Sequence, residues 1–267
     1  MVLGDNKGHT YEKKIVKILQ DRNLVPLGAT GAGSGVGIDI SFLHENNEYR
    51  LEIKNNATDP DYGQKRLKPI HSGKKWVWSW APGIEAEEIV KHYTNLGVLD
   101  YLNKKNIVPN KVRIDDLELT KQQKEEDMTN FEDRSYKVSN ETFIKYYEDK
   151  ADYIQVGNGF GFYHLKHDIA KLGTKQFDGE FILRFRAKSH NNHHIQCPNC
   201  KTVYRPNNKL CRKCKLKLVK SKHKVEVYHD YSFFATLKCT KILSEKRSKY
   251  NIEETSDQKF PPIKPQS

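Results

Sequence analysis

Two short segments near the start of the chain alternate apolar and polar residues with a period of two, the spacing of strands whose two faces meet different surroundings. One is Ile38-Asp39-Ile40-Ser41-Phe42 and the other is Tyr49-Arg50-Leu51-Glu52-Ile53-Lys54, with the turn-forming run His44-Glu45-Asn46-Asn47 between them. A hairpin centred between Glu45 and Asn46 sets Ile38 against Ile53, Ile40 against Leu51 and Phe42 against Tyr49. That register gathers the apolar residues on one face. It also sets Asp39 opposite Glu52, and Lys54, two residues on, shares their face. The apolar pattern alone therefore predicts two carboxylates and an ammonium on one surface. Ahead of the hairpin, apolar residues at 11, 15, 18 and 19 follow the period of an amphipathic helix, with Glu12 at its N-terminal flank.

The rest of the chain reads more coarsely. Residues 74–80 predict a strand with three tryptophans on one face, a pattern that suits core packing, and residues 84–103 read as helical. Residues 117–137 are charged and short of aliphatics, as expected of a mobile or helical excursion. Asn158-Gly159 marks a hairpin between 153–156 and 160–165. Residues 180–188 and 224–238 read as two long strands. From Glu253 onward, a tail with Phe260-Pro261-Pro262-Ile263-Lys264-Pro265 is expected to be disordered. No internal repeat is visible.

Charge changes this picture by its placement. The 267 residues carry a formal charge of +12, with a pI near 9.3 and a mean hydropathy of −0.81. Between Phe181 and Val225 there are thirteen Lys or Arg and no Asp or Glu, while the remainder holds 33 basic residues against 34 acidic ones. The entire positive excess thus lies in one segment, the electrostatic footprint expected of a surface for a polyanion such as nucleic acid. No apolar run approaches a membrane span. The first residues lack a signal-peptide pattern, and cysteines spaced for metal rather than scattered make a reducing, cytoplasmic home the expectation.

The same segment contains Cys197-Pro198-Asn199-Cys200 and, after ten residues, Cys211-Arg212-Lys213-Cys214. Two Cys-x-x-Cys pairs at this distance are a zinc-ribbon pattern, each pair clamping one side of a tetrahedral Zn²⁺. Four cysteinates close the coordination sphere, so the expected zinc is structural. Cys239 reads as a buried strand residue. Arg205, Lys209, Arg212, Lys213 and Lys215 are interleaved with the cysteines and are candidate DNA contacts, to phosphate or, for Arg205 and Arg212, to base edges. The ribbon by itself does not distinguish DNA from RNA.

Asp39, Glu52 and Lys54 have a chemistry of their own. Mg²⁺ takes oxygen ligands and is commonly held by one or two carboxylates plus substrate phosphate. A lysine beside it can position or deprotonate the attacking water. The plain alternative is a strand face carrying a Glu–Lys pair. The Asp39…Glu52-x-Lys54 arrangement, with the glycine-rich approach Gly31 to Gly37, resembles the PD-(D/E)xK nuclease superfamily over roughly the first eighty residues. Ile38 stands where that motif has proline, a departure from it.

The resemblance implies a restriction-endonuclease-like core with a mixed central sheet flanked by helices; with the second β region of the two long strands, at whose connection the zinc ribbon is inserted, the expected fold is α/β (α+β). The resemblance also implies Mg²⁺ held by Asp39 and Glu52, with the Ile53 carbonyl as a further ligand, and Lys54 orienting water for in-line attack on the phosphodiester. Glu12 matches the additional glutamate of the N-terminal helix. Gln64, with Lys65, falls where the family places a DNA-facing residue on the helix after the lysine strand.

The expected organisation is the N-terminal part of the core in 1–82, a helical and charged connection in 83–150, a β-rich DNA-binding region in 151–252 with the ribbon at 195–217, and the tail at 253–267. The expected function is Mg²⁺-dependent, site-specific cleavage of double-stranded DNA, by a homodimer if the target is a palindrome. A structure-specific nuclease and a non-catalytic zinc-ribbon nucleic-acid-binding protein stay open beside it.

Overall fold

A computed structural model of the chain describes residues 7–25, 39–72, 75–82, 87–105, 121–132, 135–204, 209–219, 224–243, 248–254 and 260. The glycine-rich approach at 31–37, Ile38 and Arg205 lie outside these residues.

The fold is a mixed α+β arrangement of two sheets. Helix α1 (Lys7–Asp21) leads to the hairpin β1 (Ile40–His44) and β2 (Asn47–Lys54). Glu45 and Asn46 both have positive φ, at 49° and 64°, the two-residue turn whose twist matches that of paired strands. The register pairs Ile40 with Leu51 and Phe42 with Tyr49, as the apolar alternation predicts. The chain then leaves this sheet for β3 (Gly63–Ser72) and β4 (Lys75–Trp80), followed by α2 (Glu87–Asn95), α3 (Val98–Lys104), α4 (Lys121–Glu132) and β5 (Ser135–Val138). It returns through α5 (Asn140–Tyr147), β6 (Tyr153–Val156) and β7 (Gly161–His164). Ser139 caps α5 by accepting the Thr142 N–H at 3.1 Å, and Glu141 and Lys145 match the helix dipole at its two ends.

The first sheet has the order β1-β2-β6-β7, with β2 and β6 parallel and the other pairs antiparallel. The second has the order β4-β3-β10-β8-β5, where β8 is Gly179–Gln196 and β10 is Lys224–Ile242. All of its pairs are antiparallel, and β9 (Val203–Tyr204) adds to β8. Sheet pairing therefore cuts across the boundaries expected at 82 and 150. Strands β6 and β7 belong with the first hairpin, and β3 and β4 belong with the two long strands. Gln64 and Lys65 correspondingly lie in strand β3 and not at a helix start, because β10 pairs with that segment.

The first sheet is buried on both faces. One face packs Leu51, Ile53, Tyr153 and Phe162 against Ile15, Val16 and Leu19 of α1. The other presents Ile154 and Val156 to Phe143, Tyr146 and Tyr147 of α5, and this core continues into Leu183, Phe185, Phe233 and Leu237 of the second sheet. Phe143 stacks on Phe181 with ring centroids 3.9 Å apart. Trp78 packs against Phe131 and Phe233, and Trp80 against Tyr93, so these two tryptophans serve the core.

The segment expected to be disordered from Glu253 is anchored where the structure describes it. Tyr250, Ile252 and Phe260 are buried in the core beneath α1. Glu253 accepts from Tyr11 at 2.9 Å and pairs with Lys14, and Arg22 donates to the Glu254 carbonyl at 2.9 Å. Within the expected tail Glu253, Glu254 and Phe260 are thus held in place, and residues 255–259 and 261–267, the prolines among them, lie outside the described residues.

Candidate functional site

Four of the residues singled out in the sequence converge at the end of β2. Lys54 Nζ lies 2.5 Å from Glu52 Oε1, and both side chains are largely buried. Asp39, at the start of β1, accepts the Ile53 N–H at 2.7 Å. Its carboxylate thus takes over the ladder where β1 begins, and Ile53 meets it through its amide N–H. Glu12 comes from α1, one turn ahead of the buried Ile15 and Val16, and faces His9 with an N–O distance of 3.9 Å.

The electrostatics tie the four together. Burial and the nearby Glu52 push the Asp39 carboxyl up to about 7, against the pull of Lys54 and the Ile53 N–H. Burial also raises Glu12, opposed by His9 and Lys54. Burial works to strip the proton from Lys54, but Glu52, Asp39 and Glu12 outweigh it and hold the ammonium above its ordinary range. Three carboxylates facing one ammonium leave a formal excess of two negative charges when all are ionised, the charge a divalent cation neutralises. Asp39 and Glu52 are the residues that would hold such a cation. Among the described residues, only the cysteines bring three or more ligand atoms within 4.8 Å of one another, so the carboxylates do not form a closed cage.

Two buried tyrosines behind the site were not identified from the sequence. The Tyr147 hydroxyl donates to the Tyr62 carbonyl at 2.6 Å and stands 3.4 Å from Glu52 Oε1. Lys54 Nζ lies 5.8 Å from the centre of the Tyr62 ring. Burial raises both phenols well above 10, so they stay neutral. The aromatic run of α5 directly before a strand was the available signal for Tyr147.

Residues 55–62, which follow Lys54, are fastened to the second sheet. Tyr62 N–H donates to the Leu237 carbonyl at 2.9 Å. Asp61 bridges Arg186 of β8 at 2.7 Å and Lys238 of β10 at 3.0 Å. Gln64 stands beside this clamp, 3.4 Å from Arg186.

The cysteines form the second constellation. All four Sγ atoms lie within 4.8 Å of one another, and Cys200 and Cys211 approach to 3.5 Å. A tetrahedral Zn²⁺ with Zn–S bonds near 2.3 Å requires sulfur atoms about 3.8 Å apart. The two turns repeat each other. Cys197 N–H bonds to the Thr202 carbonyl and Cys211 N–H to that of Leu216, while Lys201 and Lys215 donate back to Cys197 and Cys211. Lys201 and Lys215 both adopt positive φ, at 56° and 57°. Thr202 lowers the Cys200 thiol, and Cys200 beside it pushes Cys214 up to about 12. A bound Zn²⁺ relieves that crowding of thiolates. The donor set fits zinc.

Lys209, Arg212, Lys213 and Lys215 lie exposed on this ribbon, well removed in sequence from Gln64. Cys239 is buried in β10, as expected. No protein-family model, curated protein or solved structure matches this chain. The likeness to the PD-(D/E)xK nucleases therefore stands on the residues quoted for it, and the restriction-endonuclease fold has no independent support. No described helix is long and apolar enough to cross a membrane.

Proposed function

We propose that the chain is a divalent-metal-dependent endonuclease for double-stranded DNA, of the restriction-like kind. The observation that carries this reading is the convergence of Glu12, Asp39, Glu52 and Lys54 at one largely buried point with an excess of negative charge. Mg²⁺ at Asp39 and Glu52 would supply Lewis-acid stabilisation of the charge developing on a phosphoryl oxygen. The chain's own groups do the rest. Lys54, kept protonated by the carboxylates around it, acts as a fixed cation that orients water and offsets phosphate charge, and not as the proton acceptor. Glu12 holds the water. Tyr147, held by the Tyr62 carbonyl, limits the rotation of Glu52, and the basic zinc ribbon grips the substrate's phosphates.

The test is incubation of zinc-loaded protein with supercoiled plasmid and with a four-way junction, with and without added Mg²⁺, beside Glu52→Gln. Discrete plasmid fragments that require Mg²⁺ and fall by at least about 100-fold in the variant are expected. Cleavage of the junction alone would replace site-specific cutting by recognition of DNA shape. Tight binding with no Mg²⁺-dependent breaks in either substrate would overturn the nuclease reading in favour of a binding protein.

A further inference from the structure

Among the described residues the longest ladder joins β8 to β10; its inner part lies within the wider sheet, β9 joins it at Ile195, and between the two it is a two-stranded arm. Strand β3 pairs with β10 over residues 233–237, and β5 pairs with β8 over residues 181–184. Beyond that level the two strands continue as a pair, from Lys188↔Ser232 to Ile195↔Lys224, with one irregularity between Val225 and Tyr228. This arm ends in the zinc ribbon.

The root of the arm is fixed to the carboxylate site. Tyr62 bonds to Leu237, Asp61 clamps Arg186 and Lys238, and the Tyr62 carbonyl receives the tyrosine that stands beside Glu52. The site therefore sits at the level of the Leu237↔Leu183 rung, and the ribbon begins at Lys224↔Ile195, twelve residues further along β8. At about 3.4 Å per residue this separation is about 40 Å. Phosphates of one DNA strand also advance about 3.4 Å per base pair, so the arm spans about 12 base pairs. That is slightly more than one helical turn.

The end of the arm has the matching charge. Lys201, Lys209, Arg212, Lys213, Lys215 and Lys217 are all exposed, and no acidic residue occurs between Glu180 and Glu226. We propose that the β8–β10 arm is a molecular ruler for duplex DNA. The ribbon grips phosphates about one helical turn from the bond presented to the carboxylate site, and the number of rungs sets that offset. The cleavage part of this inference rests on the nuclease reading, whereas the gripping part does not.

The experiment uses the full zinc-loaded chain and duplexes shortened one base pair at a time from either end, scored for affinity without Mg²⁺ and for cutting with it. Affinity should fall about tenfold once the duplex no longer reaches the ribbon, and cutting should require about 12 base pairs on one side of the scissile bond. Deleting Asn191, Asn192, Tyr228 and His229 removes two rungs while keeping the faces of the strands. Both thresholds should then shorten by about two base pairs. A companion variant with two rungs added should lengthen them equally, and bound zinc and thermal unfolding check the fold of each.

Cutting with thresholds that ignore arm length would overturn the ruler and leave the nuclease intact. Affinity thresholds that track arm length without any cutting would keep the ruler as a binding device and overturn the nuclease. Preference for single-stranded DNA or RNA over duplex would overturn the ruler outright.

Discussion

The carboxylate cluster, proposed to take Mg²⁺, and the cysteine ribbon, whose donor set fits zinc, are assembled by opposite means. The first collects Glu12, Asp39, Glu52 and Lys54 from a helix and two strands that are held by cores on both faces of a sheet. The second takes its four ligands from two short turns, with little more than Ile195, Leu218 and the cysteines themselves for a core. A fold can thus prepare a charged site in advance and leave the metal optional for structure, or it can omit the core and let the metal take its place. Zinc loss should dismantle the ribbon alone, while magnesium loss should leave the carboxylate site standing.

The largest effect tests the ribbon. Cys211→Ser should abolish stoichiometric zinc binding, whose free energy is about 10 kcal/mol or more for such sites. Residues 195–219 should become susceptible to protease, while thermal unfolding of the main body is nearly unchanged. Collapse of the whole protein would show that the ribbon supports the sheets and would end the contrast.

Lys54→Met comes next. It leaves carboxylates facing one another without their ammonium, which should cost about 3 kcal/mol in denaturant unfolding. Added Mg²⁺ should restore more stability to this variant than to the wild type. Equal responses would mean that the carboxylates bind no divalent ion.

Gly157→Ala probes the remote packing on which the carboxylate site depends. A Cβ there would fall 2.5 Å from the Asn55 carbonyl and 2.8 Å from the Tyr11 ring, next to Glu12. About 2 kcal/mol of overpacking is expected, with cleavage reduced and zinc content untouched.

Acid sharpens the comparison further, because the two regions should respond in opposite senses. The Asp39 carboxyl titrates at about 7 in the fold and near 3.9 unfolded. Its contribution to stability is therefore complete below about pH 4 and is lost as pH rises through 7. In Mg²⁺-free buffer the wild type should lose stability relative to Asp39→Asn across that window. The ribbon should instead release zinc as its thiolates are protonated on acidification. Tyr147→Phe carries the smallest expected effect, about 1 kcal/mol of stability. If it positions Glu52, the variant should also need more Mg²⁺ for half-maximal cutting.

The sequence was legible where geometry is local. The period-two alternation around Glu45-Asn46 specified the hairpin register, since a slip of one residue would have turned Leu51 and Ile53 to the other face. The cysteine spacing likewise specified two turns that need nothing beyond themselves. The parallel pairing of β2 with β6 was not legible, because Glu52 and Ile154 meet only after a long excursion through the second sheet. Gln64 and Lys65 read as the start of a helix because they are polar and charged, yet Lys65 is buried within the second sheet. There the pairing with β10, and not local propensity, decides the conformation. Tyr147 looked like one more aromatic on an amphipathic helix until the fold set its hydroxyl beside Glu52.

The anchoring of Glu253 and Phe260 beneath α1 has a consequence for the order in which the molecule is made. Helix α1 leaves the ribosome well over two hundred residues before Tyr250, Ile252 and Phe260, which complete the core it lies on. Lys14 and Tyr11, on either side of the turn carrying Glu12, wait for Glu253 in the same way. During synthesis the nascent chain can build its hairpin and its ribbon, yet the helix that brings the third carboxylate has no finished seat. Assembly of the site is thereby deferred until residues 250–260 have been made.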